Sequence, residues 1–406
     1  VAKIVVVSDD PDKYAPGYFA GDIAVHHRDA LDAVQRALRD TAGTTILLYD
    51  QTCAAEKRRR RKRGTFADPA KRVVINDLVC EGCGDCGVQS NCVSITPVET
   101  EFGRKRAIDQ SSCNKDYSCI KGFCPSFVTV EGGSLRKPGK AAAADFSGLP
   151  DPQPAPCEKP YSILVTGIGG TGVVTIGALL GMAAHLEGKG CSVLDMTGLA
   201  QKNGAVVSHV RIGETPERIH ATRIAAGEAD FVLACDILTG VGYEPLAKMQ
   251  RGRTKALVNT ALVMPASFTR DPDVRFPLGS MEREIEDAVG PGDAEFLDAT
   301  KLATSLMGDS IATNLFMVGY AFQRGRLPLS EAAILQAIEL NGTAIESNTR
   351  SFQWGRLAAV EPARVAEAAI AKEVPDWHRP SQSLAEIVLR RARFLTDYQD
   401  AAYARR

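Results

Sequence analysis

Apolar runs and alternations divide the chain into segments of α/β character. Lys3–Ser8 is a mostly apolar run of the kind buried in a parallel sheet. Asp29–Asp40 places Leu31, Val34 and Leu38 on one helical face, and Thr45–Tyr49 reads as a second buried-type strand. One strand, one helix and one strand cannot bury a core alone, so residues 1–66 read as the end of a larger α/β domain. A regular pattern resumes at Tyr161. A strand (Ser162–Thr166), a glycine turn, a helix (Val173–Leu186) and a strand (Ser192–Asp195) are followed by a loop and a strand (Ser208–Ile212). Phe231–Ala234 and Ala256–Asn259 are further buried strands, and Leu329–Glu339 is an amphipathic helix. This alternation predicts a doubly wound α/β domain over residues 161–350. Residues 132–160, with six prolines and the alanine run 141–144, read as a linker. Residues 351–406, with the Arg-rich helical stretch Ser383–Tyr403, read as a helical tail that starts a further domain. No internal repeat stands out.

Composition narrows the class. A length of 406 residues predicts two or three domains, and 45% hydrophobic with 24% charged residues is ordinary for a globular protein with a sizeable core. The net charge of -1 gives no global pull toward nucleic acid or an anionic membrane. The basic run Lys57–Arg63 carries no interleaved aromatic residue, so it reads as a solvated helix end or as a patch facing an acidic neighbour. Ser162–Ala184 is uncharged and long enough to cross a bilayer, but Gly167, Gly169, Gly170 and Gly172 break it into strand, turn and helix. The opening residues have too short an apolar run for a signal peptide, which with the cysteine content predicts a cytoplasmic protein.

Seven of the 11 cysteines crowd between Cys80 and Cys124. Cys80, Cys83 and Cys86 form C-x2-C-x2-C, the spacing that brings three thiolates to three irons of a cubane, and a remote Cys-Pro supplies the fourth ligand. Cys124 before Pro125 fits that role, so residues 71–131 read as a ferredoxin-like 4Fe-4S module. Cys92, Cys113 and Cys119 form a second, incomplete set. It would need a non-cysteine ligand such as Asp116, or would hold only three irons. A structural zinc site is the competing use of such thiolates, but its usual paired C-x2-C knuckles are absent. Gly82, Gly84 and Gly87 let backbone amides approach cluster sulfur. Cys53, Cys157, Cys191 and Cys235 are isolated and read as packing residues.

Gly167-Ile168-Gly169-Gly170-Thr171-Gly172 has the G-x-G-x-x-G form between a strand and a helix, with Asp195 at the end of the next strand. Such a turn brings a helix N-terminus to an anion, and both NAD and coenzyme A carry a pyrophosphate. The structural alternative is close packing of the helix through Gly177 and Gly181. The polar stretch Gly198–Arg211 suits a binding loop, with Asn203, Ser208, His209 and Arg211 as candidate contacts.

Three blocks agree at this point: Gln51-Thr52-Cys53-Ala54-Ala55-Glu56 with the basic run, the seven-cysteine module, and Gly167–Gly172 with Gln201–Arg211. Together they resemble the large fused indolepyruvate:ferredoxin oxidoreductases, members of the thiamine-diphosphate-dependent 2-oxoacid:ferredoxin oxidoreductases. The resemblance implies that residues 1–66 are the C-terminal end of a thiamine-diphosphate-binding domain and that residues 161–350 are a gamma-type domain on the coenzyme A side. It implies a reaction in which an arylpyruvate, coenzyme A and oxidised ferredoxin give an aryl-acetyl-CoA, carbon dioxide and reduced ferredoxin. It also implies thiamine diphosphate and Mg2+ on sequence other than this chain, which lacks the Gly-Asp-Gly motif with its downstream Asn pair. The expected partners are ferredoxin, the remainder of the same polypeptide or a thiamine-diphosphate subunit, and further copies of the chain. The reading left beside it is an NAD-linked oxidoreductase that uses the Gly167–Gly172 turn and Asp195.

Overall fold

The computed structural model describes residues 1–133, 145–198, 204–271, 273–370 and 380–406. The chain forms two compact units, Val1–Pro69 and Ala70–Arg406.

In the first unit, β1 (Lys3–Ser8) lies between β2 (Ala24–His27) and β3 (Thr45–Asp50) in a parallel three-stranded sheet. Helix α1 (Leu31–Arg39) covers one face, packing Val34 and Leu38 on Val5 and Val7. Here β3 departs from its expected burial. Ile46 and Leu48 are 41% and 47% exposed, because within this unit β3 is an edge strand whose second face no helix covers. The basic run forms helix α2 (Ala54–Lys62). Its charges are answered inside the unit: Lys57 pairs with Asp9 at 2.6 Å, Glu56 with Arg60 at 2.9 Å, and the Arg61 guanidinium lies 5.4 Å from the Phe66 ring centre.

The second unit opens with the cysteine module. Strands β4 (Lys71–Ile75), β5 (Ile95–Thr100), β6 (Gly103–Ile108) and β7 (Phe127–Glu131) and helix α3 (Asp85–Ser90) make two antiparallel pairs, β4 with β7 and β5 with β6. The order strand, cysteine loop, short helix, strand occurs twice, first as β4–α3–β5 and again as β6, a 3-10 turn at Ser118–Ile120, and β7. The module therefore does contain a repeat. Its halves share geometry more than residues, which hides it from sequence.

The α/β domain comprises β8 (Tyr161–Ile168), α4 (Val173–Leu186), β9 (Gly190–Thr197), β10 (Ala205–Gly213), β11 (Phe231–Ala234), α5 (Ile237–Gly240), α6 (Tyr243–Lys248), β12 (Lys255–Asn259), α7 (Leu278–Val289), β13 (Ala294–Leu297), α8 (Ala299–Met307), α9 (Thr313–Gln323), α10 (Glu331–Asn341), α11 (Ile345–Val360) and α12 (Pro362–Ile370). The sheet order is β13-β12-β11-β8-β10-β9. Strands β8, β11, β12 and β13 are parallel, and β10 runs antiparallel to both its neighbours. Successive strand residues feed opposite faces. Ile163, Val165, Val210, Phe231 and Leu233 meet the helical layer of α4 and α8–α12. Leu164, Val207, Val232 and Ala234 meet α5 and α7 on the other face. This is the α/β architecture expected. The uncharged stretch Ser162–Ala184 is β8, the turn and most of α4, and no described helix is long and apolar enough to cross a membrane.

Two boundaries move. The described part of the linker, residues 145–160, is a strap on the α/β domain. Phe146 packs edge-on against Trp354, the Ala155 amide donates to the Leu327 carbonyl at 3.2 Å, and the Pro150 carbonyl accepts from Gln323 at 2.7 Å. At the other end, α11 runs straight through residue 350. Phe352, Trp354, Leu357 and Val365 lie in the main core, so the α/β domain extends to residue 370. Helices α9 and α11 cross in backbone contact: a methyl on Gly319 would overlap the Phe352 carbonyl, and one on Gly355 the Phe316 carbonyl. Beyond residue 380, α13 (Leu384–Tyr398) and α14 (Ala401–Arg405) form the tail. Arg391 pairs with Glu101 and stacks 4.5 Å from the Phe102 ring centre, which ties α13 to the tip of the β5–β6 hairpin.

Candidate cluster module and glycine turn

The cysteine loops are shaped by backbone before side chain. Gly82 and Gly84 take φ of +75° and +81°, a region that disfavours any Cβ, and a methyl at Gly82 would overlap the Arg104 carbonyl. This folds the loop so that the Gly82 amide donates to Cys80 Sγ at 3.3 Å. Cys80 is buried beside Val73, Ile75 and Ile108, while Cys83 is exposed. The Cys86 thiol is pushed up to about 11, chiefly by burial, with the charges of Cys80 and Cys83 adding to it; the Gly87 amide and Arg106 act the other way. Cys80 and Cys83 thus lie on this glycine-shaped loop, and Cys86 lies in the first turn of α3. Cys124 is exposed on the neighbouring loop, its Sγ 3.0 Å from Ser126 Oγ. Asn76 joins the two loops, its amide donating to the Ser126 carbonyl at 2.7 Å and its carbonyl accepting from the Cys80 amide at 2.9 Å. Cys92, Cys113 and Cys119 form a separate group under α3, where burial and then the neighbouring charges push the Cys119 thiol up to about 12.

Among the described residues no three His, Cys, Asp or Glu side chains close to the spacing of one bound ion. Tetrahedral zinc asks for four donors about 2.0–2.3 Å from a single point. A cubane asks for less convergence, because each thiolate reaches a different iron. Amide-to-thiolate hydrogen bonds, half-buried thiols and left-handed loops fit the cubane demand. Bound iron would expel the thiol protons that burial otherwise retains. Sequence reasoning missed Arg106, which is 2% exposed, lies 5.0 Å from the Phe268 ring centre and places a cation near Cys86.

At the carboxyl edge of the sheet, the glycine turn links β8 to α4. Gly170 and Gly172 have φ of +86° and +107°. The Gly169 amide donates to the Gly204 carbonyl at 2.6 Å, the Thr171 hydroxyl to the Ile168 carbonyl at 2.7 Å, and Asn314 Nδ2 to the Thr171 carbonyl at 3.0 Å. Gly167 has no room for a methyl against Val173 and Cys235. Helix α4, of 14 residues, starts at this turn with no side-chain cap on its first-turn amides. Gly177 and Gly181 let α4 sit close on β9 and β10, against Val193 and Ser208.

The other candidates do not join the turn. Ser208 is fully buried under Gly177, with Oγ unpartnered. His209 faces the opposite side of the sheet. Its Nδ1 accepts the Ile224 amide at 3.2 Å, so the proton resides on Nε2, which points toward Glu244 at 3.7 Å, and burial holds the imidazole down to about 4. Arg211 pairs in register with Ser162, at the far end of β8 from the turn, and donates to the Ala221 carbonyl. Asn203 lies outside the described residues. Asp195 sits on β9 with β10 between it and β8. That is one strand further from the turn than a dinucleotide fingerprint requires, at about 4.8 Å per strand. The acid beside the turn is Asp236, which follows Cys235 after β11 and caps α5. It is 3% exposed and its Oδ1 caps Thr239 at 3.0 Å; the amides of Leu238 and Val263 face the carboxyl, yet Oδ2 closes no hydrogen bond of normal geometry. A rule that looks twenty residues downstream of the glycines does not reach it. A hollow of ≈ 460 Å³ lies along the strap, between Pro152–Pro156 and Gln323–Gly325, away from both sites.

Residues 162–358 match the family described as pyruvate ferredoxin/flavodoxin oxidoreductase. The indolepyruvate oxidoreductase subunit IorB of Thermococcus kodakarensis is 30% identical over 205 residues, spanning 50% of this chain and 98% of that protein. The corresponding subunit of Methanothermobacter thermautotrophicus is 29% identical over 203 residues, with 50% and 98% covered. Among solved structures, the gamma subunit of a keto/oxoacid ferredoxin oxidoreductase from Geobacter sulfurreducens aligns at TM-score 0.35 and 21% identity, over 49% of this chain and 98% of that one. The cysteine module lies outside the matched 162–358 span. Through its α/β domain, the chain belongs to the pyruvate ferredoxin/flavodoxin oxidoreductase family.

Proposed function

We propose that this chain is the electron-relay and gamma-domain portion of an indolepyruvate-type 2-oxoacid:ferredoxin oxidoreductase. The observation that supports the reading is the glycine-shaped loop that bears Cys80 and Cys83 and leads to Cys86, with the Gly82 amide on Cys80 Sγ, in one compact unit with a domain of this family. Two similar relatives are named as indolepyruvate oxidoreductase subunits, which supports an aryl 2-oxoacid as substrate and a multi-subunit or multi-domain setting. Thiamine diphosphate and Mg2+ are then carried by the remainder of the same polypeptide or by a partner subunit, ferredoxin takes the electrons, and the assembly works in the cytoplasm as an oligomer.

Within this chain, Cys80, Cys83, Cys86 and Cys124 hold a 4Fe-4S cluster, which passes one electron at a time when bound. Arg106 offsets part of the negative charge that arrives with each electron, and the Gly82 amide fixes the orientation of Cys80 Sγ. The exposed Cys83 and Cys124 put an edge of the module within reach of an external carrier. On the gamma domain, the Gly169–Gly172 turn and the α4 N-terminus receive the pyrophosphate of coenzyme A, and Asn314 holds the turn rigid from α9.

Anaerobic reconstitution with iron and sulfide should give a brown protein whose dithionite-reduced form has a cubane EPR signal. A colourless protein that takes up zinc instead would reject the relay. Calorimetric titration with coenzyme A and with NADH tests the turn: heat with coenzyme A alone supports the reading, and heat with NADH alone overturns it.

A further inference from the structure

We infer that the carboxylate of Asp116 completes the second ligand set, beside Cys92, Cys113 and Cys119. The inference rests on the relay reading above, and three independent observations lead to it.

The first is spacing. Cys113, Asp116 and Cys119 repeat the intervals of Cys80, Cys83 and Cys86, with an aspartate where the middle thiolate stands. Counting cysteines alone finds the second set incomplete; counting oxygen and sulfur donors completes it.

The second is backbone geometry. In the first loop the residues flanking the middle ligand, Gly82 and Gly84, both have positive φ. In the second loop Lys115 and Tyr117 flank Asp116 with φ of +52° and +60°. The chain has four non-glycine residues with positive φ among those described, and two of them are this pair. Left-handed backbone at a residue with a Cβ persists only where its surroundings impose it. The amide-to-sulfur bond repeats as well. The Gly82 amide donates to Cys80 Sγ at 3.3 Å, and the Lys115 amide donates to Cys113 Sγ at 3.4 Å, each two residues on from its cysteine. The two loops are thus the same device, with Asp116 in the place of Cys83.

The third is neighbourhood. Cys113 and Cys119 pack together against the small core of Val73, Ile75, Cys80 and Ile108. Cys92 comes from the first loop, after α3, and the 3-10 turn bearing Cys119 packs on α3. This is the exchange of the last ligand between runs that two-cluster ferredoxins show, and it leaves Cys124 for the first cluster. Asp116 is exposed, and Ser118 orients it: the Ser118 amide and hydroxyl donate to Oδ1 at 3.3 and 3.0 Å. No described hydrogen bond engages Oδ2.

A carboxylate holds its iron less firmly than a thiolate does. An iron held by Asp116 would therefore be the one lost on mild oxidation: ferricyanide would take one electron from the oxidised cubane, one ferrous ion would leave, and a three-iron cluster with an oxidised-state EPR signal would remain.

The full chain, reconstituted anaerobically, tests this by iron count and EPR. Wild type should bind about eight irons, two cubanes' worth, and yield the three-iron signal on ferricyanide treatment. Asp116→Ala should lose about one iron and show that signal without oxidant, and Asp116→Cys should restore the count and resist ferricyanide. Since Asp116 is exposed, neither change opens the core, and circular dichroism checks the fold. About four irons in wild type, lost on Cys83→Ala, would overturn the second cluster while leaving the relay intact. Full iron and an unchanged oxidised spectrum in Asp116→Ala would overturn Asp116 as ligand. No iron in wild type would overturn the relay reading and this inference together.

Discussion

The first cysteine loop should fail on addition of a single methyl group at Gly82. Two costs add there. At φ +75° an L-residue loses about 1–2 kcal/mol relative to glycine. The new Cβ would also overlap the Arg104 backbone carbonyl, which sits on β6 and cannot swing away as a side-chain tip could. Relieving that overlap requires a shift of about 1 Å, and overpacking of this kind costs about 1–3 kcal/mol. The sum, roughly 2–5 kcal/mol, falls on the loop conformation that aims Cys80, Cys83 and Cys86 together. It corresponds to a loss of about 30-fold to several thousand-fold in the closed state. Gly103 supplies the control. It lies in the same module with φ +87°, and a methyl there would meet nothing within 4 Å. Gly103→Ala therefore carries the conformational cost alone, about 1–2 kcal/mol. Anaerobic reconstitution against a competing chelator reads both variants: Gly82→Ala should surrender its first-cluster iron at chelator concentrations that Gly103→Ala withstands. Equal retention by the two variants would show that contact with Arg104 does not hold the loop, and the argument from backbone geometry would fail.

Three further outcomes follow from other parts of the chain. Arg106→Met removes a buried cation near Cys86 and should lower the midpoint potential of the first cluster in an EPR-monitored redox titration; an unchanged or higher potential would contradict the electrostatic role. Gly355→Ala forces α9 and α11 apart at the Phe316 carbonyl, at about 1–3 kcal/mol or more, and should lower the melting temperature by roughly 5 °C, whereas an unshifted melt would mean the crossing is looser than described. Burial raises the Asp236 carboxyl from 3.8 to about 6, so the folded chain keeps a proton that the unfolded chain has already lost between those values; stability present below pH 4 is lost as pH rises through 6. Asp236→Asn keeps the acceptor for the Thr239 amide without the charge, so it should stabilise the domain by up to about 3 kcal/mol at pH 7 and by little at pH 4, and a gap that does not depend on pH would count against a buried charge.

Hydrophobic patterning located strands well and their neighbours poorly, for a physical reason. An apolar run reports that a segment is buried, and Phe231–Ala234 is a strand over the residues the pattern marks, every one buried. It does not report which strand lies alongside. The placement of β10 between β8 and β9, antiparallel to both, goes with the close seat that Gly177 and Gly181 give α4 against Val193 and Ser208. Once β10 intervenes, Asp195 is a strand too far from the glycine turn, and Asp236, brought there by the β8–β11 pairing, takes its place. Nor does a run report whether its second face finds a cover, which is why Ile46 and Leu48 on β3 stand exposed although they read as core. Boundaries failed in a related way. Prolines at 150–156 mark a segment without regular structure, but Phe146 and the Pro150 carbonyl anchor that segment to α9 and α11 as firmly as an element would be.

The cysteine module shows the converse limit. Its spacing announces the first ligand set because thiolates are rare and their role is narrow. The second set escapes a count of thiolates because what the fold preserves there is a loop conformation, and that conformation accepts more than one donor. Positive φ at Lys115 and Tyr117 is costly for residues with side chains, at about 1–3 kcal/mol each. A chain that retained the loop merely as a connection would gain by relaxing it or by placing glycine there, as it does at Gly82 and Gly84. Retention of the strained form beside an aspartate, with the amide still aimed at Cys113 Sγ, has two available causes: the module's own contacts, among them the Tyr117 hydroxyl donating to the Lys71 carbonyl at 3.0 Å, and a bound cluster. Substituting glycine at Lys115, which leaves the Tyr117 hydroxyl on the Lys71 carbonyl, separates the alternatives. If bound iron offsets the strain, the Lys115→Gly variant should melt higher than wild type before reconstitution and gain less than wild type on loading. Equal gains on loading would place the cause in the protein's own packing.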